Sequence, residues 1–435
     1  MTNGNYSAVI FEGWFTQKKW EKFSAANELV LGVDAAKRAF YAAVMTQKDR
    51  HFDVLYFERD QIPEFIGSLA ALPFDQITLV VEPSGTYTDG LLAQARQAGI
   101  AVMRINGERV HNAQTVFDGV PSLHDGKAAY ILGHLYLCGV GTPWEATSKP
   151  QRDVRALADL DALVRKTEQM YVGPLEAFLA RHWPELPDHL SLKSATLLEL
   201  LSTFGCPQEV AANPERARSL MRKTGGHFLA QETIEAVIES ARTTIGVAPV
   251  EGQCEHLKYI AGMLRESQQR AKHVTRQIKE TAEKNEETRN LVDFVGHRTA
   301  VILVGCLGAL TDYESPKHLE KAQGLNLCEH TTGKTRRDKQ IETLHVSISK
   351  RGPSRARQMV YWQAMRMINP VSQSYCRIAK AWYQERLRLN GGRATSALVA
   401  LMRKLCGALW HVARGKTYDP TKLFDVARLR RHGHL

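Results

Sequence analysis

Short apolar runs separated by polar turns open the interpretable part of the chain. Leu29-Val30-Leu31-Gly32-Val33 runs into Asp34, and further runs follow at 40–45 and 52–57, with Gln47-Lys48-Asp49-Arg50 as a polar turn. Three short runs joined by tight turns predict an antiparallel meander. Ile62, Phe65, Ile66 and Leu69 then recur at helical spacing, with Pro63 suited to a first turn. The run 77–81 predicts a buried strand that ends on Glu82. A helix carrying Leu91, Leu92, Ala95 and Ala98 follows, then a strand at 100–105 and a helix at 125–137. The predicted order is three strands, helix, strand, helix, strand, helix.

Gly139-Val140-Gly141-Thr142-Pro143 marks a boundary, and helical patterns fill 150–290. The last of these, 257–284, is a long polar helix with apolar positions at Leu257, Ile260, Leu264, Val274 and Ile278. Their spacing is too interrupted for a heptad seam, so it reads as a spacer or dimerisation helix or as a plain surface helix. Gly246-Val247-Ala248-Pro249 breaks the region into sub-bundles. Beyond it, Gly296 predicts a turn between two helices, and Ser349 to Arg355 a turn that opens a helix. Met359, Tyr361, Trp362 and Met365 follow at helical spacing and read as core, and the helices flanking Gly391-Gly392 read as packing elements. The division expected is 28–142, a helical linker or dimerisation region at 150–290, and a C-terminal domain at 291–418.

At 435 residues the chain exceeds a single core. No apolar run approaches the roughly 18–20 residues of a membrane helix, and the N-terminus, with Trp14, Lys18, Lys19 and Trp20, lacks a signal-peptide core. A soluble cytoplasmic protein is expected. The seven cysteines are widely spaced with no Cys-x-x-Cys pair, which argues against zinc and disulfide frameworks. The net charge of +11 is unevenly distributed. Residues 1–150 carry 13 Lys+Arg against 16 Asp+Glu, whereas 291–435 carry 25 against 10. So concentrated a basic excess predicts a polyanionic partner. The basic residues spread over many elements and not along one amphipathic stripe, which favours nucleic acid over a membrane surface.

The acids change the picture further. The element order is that of an RNase H-like (RuvC-like) domain, in which the first and fourth strands lie side by side. Asp34 and Glu82 would then sit within a few ångströms of each other, with Asp125 opening a helix that packs back against them. Crowded carboxylates need a cation, and Mg²⁺ is the natural partner for phosphodiester chemistry. Acids at strand ends and helix starts also serve as caps, so the weight rests on three falling in three specified places. In the C-terminal part, Lys334, Arg336, Arg337, Lys339, Lys350, Arg351, Arg355 and Arg357 are threaded with hydroxyls and read as phosphate-binding, against the plainer reading of a solvated basic face. Gly333-Lys334-Thr335 is no P-loop, because Cys328 stands where the earlier glycine is required.

These segments together resemble the DEDD transposases of the insertion-sequence-110 family. The matches are Gly32-Val33-Asp34-Ala35-Ala36-Lys37, Val81-Glu82-Pro83-Ser84-Gly85-Thr86-Tyr87 and His124-Asp125-Gly126-Lys127-Ala128-Ala129. Farther along they are Gly324-Leu325-Asn326, Thr331-Thr332-Gly333-Lys334 and Ile348-Ser349-Lys350-Arg351-Gly352. The resemblance spans roughly 29–140 and 290–415. It implies a Holliday-junction-resolvase-like domain binding Mg²⁺ through four acids, and a C-terminal domain whose serine attacks the DNA phosphate. It also implies an element-encoded bridge RNA that pairs with DNA, homodimers or homotetramers in which one subunit's acids meet another's nucleophile, and a bacterial, nucleoid-associated setting.

Two departures stand out. The family's last two acids lie three residues apart, but Ser122 stands three before Asp125, leaving Asp118 as the nearest substitute and His124 as a weaker one. The nucleophile position is Thr332, a more hindered hydroxyl than serine. The leading expectation is a Mg²⁺-dependent, RNA-guided transposase with Asp34, Glu82, Asp125 and Asp118 as its acids and Thr332 as its nucleophile. The rivals are a structure-specific nuclease that uses metal-activated water, and an inactive DNA-binding copy.

Overall fold

The alternating runs of the first third form one mixed sheet. In the computed structural model, which describes residues 6–48, 51–82, 86–121, 123–145, 147–330, 345–433 and 435, the chain separates into two units, Met1–Thr147 and Ser148–Leu435. The first unit contains β1 (Ala8–Ile10), α1 (Phe11–Thr16), β2 (Glu28–Ala35), β3 (Ala39–Met45), β4 (Asp53–Glu58), α2 (Ile62–Ala70) and β5 (Gln76–Val81). It continues through α3 (Asp89–Gln97), β6 (Ala101–Arg104), α4 (Gly107–Ala113), α5 (Asp125–Leu137) and β7 (Thr142–Pro143). The seven strands lie in the order β1-β4-β3-β2-β5-β6-β7. The meander β2-β3-β4 is antiparallel, and β2 pairs parallel with β5, as β5 does with β6.

Strand parity explains why the apolar runs are nearly continuous. Leu29, Leu31 and Val33 of β2 share a core with Phe65, Leu69 and Leu91, whereas Val30 shares one with Ala129, Ile131 and Leu132 of α5. Both faces of the sheet are covered, so both parities are apolar. Gly32 lies on the α5 side. A Cβ there would stand 2.0 Å from the Ala129 carbonyl oxygen and 2.3 Å from the Gly133 nitrogen. Helix α5 therefore rests on β2 with backbone against backbone.

The sequence reading placed no element before residue 29, and here the structure adds to it. Phe11, Trp14 and Phe23 are buried, and the Trp14 indole donates to Asp53 Oδ2 at 2.6 Å. Strand β1 pairs parallel with β4, at the edge of the sheet. A three-residue strand is too short to display an alternation, and the aromatic packing of Phe11 on Phe57 and Phe65 is non-local. Helix α4 was equally unread, although Asn106 caps it by accepting from the Glu108 amide at 3.0 Å.

The second unit is mostly helical. It begins with the 34-residue α6 (Lys149–His182), followed by α7 (Leu186–His189), α8 (Ala195–Phe204), α9 (Pro207–Ala212), α10 (Pro214–Gly225), α11 (Gln231–Thr243) and the 34-residue α12 (Glu251–Lys284). Next come α13 (Glu286–Val295), α14 (His297–Leu307), α15 (Pro316–Ala322), the antiparallel pair β8 (Leu327–His330) and β9 (His345–Ile348), and α16 (Ser354–Ile368). Helices α17 (Arg377–Leu389), α18 (Ala394–Ala413), α19 (Pro420–Leu423) and α20 (Val426–Arg431) complete it. One core gathers Leu175, Leu179, Leu197, Leu257 and Leu264. The other gathers Val154, Val164, Val274, Ile278 and the C-terminal helices. Thus α6 and α12 each run through both cores, and the apolar positions of α12 are buried within its own chain. Among the described residues no helix is long and apolar enough to cross a membrane.

The contact at Gly32 yields a paired prediction. Gly32→Ala should destabilise the protein by about 3 kcal/mol in denaturant unfolding, because the methyl meets immovable backbone. Gly133→Ala should cost about 1 kcal/mol or less, since its Cβ would meet the flexible end of Met45 at 2.8 Å and alanine favours the helix.

Candidate active site

Three of the predicted acids converge at one end of this sheet. Val33 of β2 is paired with Val81 of the parallel β5, so the next residues, Asp34 and Glu82, leave the two strands side by side. Parity puts Asp34 on the same face as Gly32, the face that α5 covers. Asp125 is the first residue of α5, whose N-terminus is capped by His124 accepting from the Lys127 amide.

The electrostatics record this proximity. Burial, then the charge of Asp125, and to a smaller extent that of Glu82, push the Asp34 carboxyl up to about 6, against the opposing hydrogen bond from the Ala35 amide at 3.1 Å. Burial raises Glu82 as well. The Glu82 carboxylate lies against the start of α4, where a Cβ on Gly107 would come within 2.0 Å of Glu82 Oε1. A glycine at the first position of α4 leaves the room that the carboxylate occupies.

Among the described residues, no three acidic, histidine or cysteine side chains are gathered into a ready-made metal cage. The Asp34 carboxylate is near enough to those of Asp125 and Glu82 for both charges to act on it. The donor set is all oxygen, the kind a hard divalent cation takes. Burial does most to hold Asp34 up, and a cation among the carboxylates would relieve the part that comes from Asp125 and Glu82.

Asp118 is held by another partner. Its Oδ1 pairs with Lys127 Nζ at 2.8 Å, and that lysine is 1% exposed and also donates to the Val120 carbonyl at 2.8 Å. The Val120 amide donates to the same carboxylate at 2.9 Å, and the Lys127 bond holds Asp118 below its usual range. Its charge is spent on Lys127 and is not among those that raise Asp34. Ser122 lies outside the described residues, as do Thr332, Lys334, Arg336, Arg337 and Lys339.

The frame around that last segment is well defined. Strand β8 pairs with β9 from Leu327 opposite Ile348 to His330 opposite His345. At its base the Lys350 amide donates to the Gly324 carbonyl at 3.0 Å, the Ser349 amide to the Asn326 carbonyl at 2.9 Å, and the Ser349 hydroxyl to the Asn326 amide oxygen. Gly324 has φ +68° and would clash through a Cβ with Arg351 backbone, and Gly352, with φ +123°, would clash with the Ala322 carbonyl. The motifs around 324 and 350 are therefore two halves of one interlocked turn. Lys350 and Arg351 are exposed on it. Arg357 turns inward to the Gly352 carbonyl at 2.8 Å, and Arg355 to Asp161 at 2.6 Å.

Two differences from the sequence reading concern α16 and its neighbours. Tyr361 and Trp362 are exposed, packed edge-to-face with centroids 5.3 Å apart, while Met359 is buried. The buried stripe runs through Ala356, Met359, Val360, Gln363, Ala364 and Met367, and residues 361 and 362 fall off it. Asp161 was missed altogether. It is 2% exposed and collects Arg298 and Arg355 from distant helices, a grouping that no local spacing announces.

Residues 292–377 match the family model described as Transposase IS116/IS110/IS902 family. Over this stretch the chain is similar to transposases of that family. The matched stretch runs from α13 to the first residue of α17 and includes the interlocked turn and the β8-β9 pair. A search of curated proteins finds no match. A transposase of this family is an enzyme that cuts and rejoins DNA, which accords with the basic excess of 291–435.

The raised Asp34 has a testable consequence. A carboxyl whose folded value lies above its unfolded one destabilises the protein when ionised, and stability should rise as pH falls from about 6 towards 4. Discounted for partial exposure, the effect is on the order of 1 kcal/mol. Without divalent ions at pH 7.5, Asp34→Asn should raise the melting midpoint of the first unit by about 2–4 °C.

Proposed function

We propose that the transposase joins and cuts DNA strands through an RNase H-like acidic centre in its first unit and a hydroxyl nucleophile, Thr332, in its second. The observation that carries this reading is the convergence of Asp34, Glu82 and Asp125 where the parallel strands β2 and β5 end under α5. The strand order β4-β3-β2-β5-β6, an antiparallel meander continued by parallel strands, supports the RNase H-like assignment. Asp34, Glu82 and Asp125 would hold Mg²⁺, with Asp118 available as a fourth acid only if Lys127 releases it. When bound, Mg²⁺ supplies charge neutralisation for phosphoryl transfer.

Thr332 Oγ would attack the phosphorus and lose its proton. A P–O bond of the DNA backbone would break, the departing strand leaving as a free hydroxyl and the other remaining as a phosphothreonine ester. Attack on that ester by an incoming strand hydroxyl restores the backbone and frees Thr332, with no external energy source. Target choice in this reading comes from base pairing to an element-encoded bridge RNA. The exposed Lys350 and Arg351 would contact backbone phosphates, together with Lys334, Arg336, Arg337 and Lys339, while Arg357 acts chiefly through the turn and Arg355 is tied to Asp161. A homodimer or homotetramer would bring one subunit's acids to another's Thr332. Three acids of this kind suffice for activated-water chemistry, and this favours a structure-specific nuclease as the second reading.

Denaturing electrophoresis of the transposase with labelled junction DNA, its RNA and Mg²⁺ separates the two. A covalent adduct present in wild type and lost in Thr332→Ala supports the hydroxyl nucleophile, whereas cleavage without an adduct, unchanged in Thr332→Ala, assigns the chemistry to water. In either case Gly107→Ala should lower cleavage by tenfold or more while DNA binding persists, because the new methyl displaces Glu82.

A further inference from the structure

The second unit holds a cationic cluster that the proposed chemistry does not use. Asp161 of α6 is 2% exposed, and three guanidinium groups approach it. Arg298, in the first turn of α14, is bidentate at 3.1 and 3.0 Å. Arg355, in the first turn of α16, reaches Oδ2 at 2.6 Å and also donates to the Ala158 carbonyl. Arg165, one turn along α6, stands at 3.7 Å.

One carboxylate cannot neutralise three guanidinium groups. Arg165 has a second acidic neighbour in Glu168 at 3.4 Å, but Glu168 is shared with Lys193 at 3.1 Å. A fourth guanidinium adds to the excess. Arg366 donates to the Thr299 hydroxyl at 3.2 Å, its buried Nε has no hydrogen-bond partner, and burial together with the Arg298 charge holds it below its ordinary value. Helices α14 and α16 both start here, and neither is capped by a side chain, so their first-turn dipoles add positive potential.

The excess faces an open space. A cavity of about 460 Å³ is lined by Asp161, Arg165, Arg298, Arg355, Ser354 and Gln358, and the Arg165 and Arg298 side chains are each 42% exposed. Burying a lone Asp161 orients the arginines and leaves donors of their forks turned to solvent. A cluster built only to tie α6, α14 and α16 together would need no cavity and no third and fourth guanidinium.

We infer that this cavity binds a backbone phosphate of DNA, held by Arg165, Arg298 and Arg355 on the scaffold of Asp161, as an anchoring site separate from the acidic centre. DNA is the source to which we commit, because a transposase must hold it and the anchoring needs no base readout. The inference rests only on the protein's being a DNA-binding transposase and is independent of Thr332 chemistry.

The test uses full-length protein and fluorescence anisotropy with duplex DNA across a salt series. Two variants leave the ties through Arg298 and Arg355 intact. Arg165→Gln removes one guanidinium, and Gln358→Glu puts a negative charge on the cavity wall. Each should weaken binding about three- to tenfold near 0.1 M salt, and Arg165→Gln should lower the salt slope by about 0.5–0.9, one phosphate's worth. Unchanged melting midpoints identify the loss as one of binding. Equal affinity and slope in both variants would overturn the phosphate site and leave the cluster a structural tie. A loss confined to a parallel titration with structured RNA would overturn the assignment to DNA. If wild type bound no DNA at all, the transposase reading itself would fall, and that result is distinguishable from both others.

Discussion

Everything in the first unit depends on how closely α5 can lie on β2. The absence of a side chain at Gly32 lets helix backbone touch strand backbone. That contact fixes the height and angle at which α5 starts, and its starting residue is Asp125. Two positions along β2 from the contact, on the same face, is Asp34. The spacing between the carboxylates is therefore set by glycine packing that no acid takes part in. Gly107 makes a parallel contribution by leaving the volume that Glu82 fills. The site is held by small residues and charged by large ones.

The second unit solves a different problem, which is how to join helices distant in sequence while presenting positive charge. Residues 161, 298 and 355 come from α6, α14 and α16, and their meeting buries a carboxylate that would be costly alone. Breaking it by removing Asp161 would leave several guanidinium groups facing one another. The same tie thus supports the packing of the unit and keeps the arginines extended and ready for an anion. The interlocked turn follows the same logic on a smaller scale. Gly324 and Gly352 allow two strand ends to cross, and two hydrogen bonds between Ser349 and Asn326, with a third from the Lys350 amide to the Gly324 carbonyl, close the crossing.

Much of the sheet was legible because its physics is local. The run at 29–33 could be read as a strand because buried β-branched and leucine residues bounded by polar turns have few other uses. Asp125 at a helix start, Pro63 in a first turn and Gly296 between two helices were readable for the same reason. The failures share a cause as well. Strand β1 exists because β4 offers it an edge, and Trp14 is core because Asp53 and Phe23 are there to receive it. Tyr361 and Trp362 are apolar neighbours of the stripe through Met359, Val360, Ala364 and Met367, and packing buries the stripe and leaves them outside. The pairing of Asp118 with Lys127, nine residues apart across a loop, was likewise invisible to spacing. Sequence reports which groups are available, and tertiary contact decides which partners they choose.

The uneven charge along the chain then acquires a mechanical sense. Holding a polyanion and performing chemistry on it make opposed demands, since the carboxylates that would bind a metal repel DNA. Residues 1–150 carry a small net negative balance, whereas the excess of 15 positive charges in 291–435 attracts a polyanion. Under the proposed reading the two demands respond to different variables. Affinity falls with monovalent salt through the arginines, and reactivity rises with divalent ion through Asp34, which burial and the charges of Asp125 and Glu82 hold up at about 6. Repulsion among the three acids is then a way of making the acidic centre tolerant of DNA only once it has been neutralised. A chain with the same acids spread apart would lack that dependence, because isolated, well-hydrated carboxylates have little to gain from a shared ion.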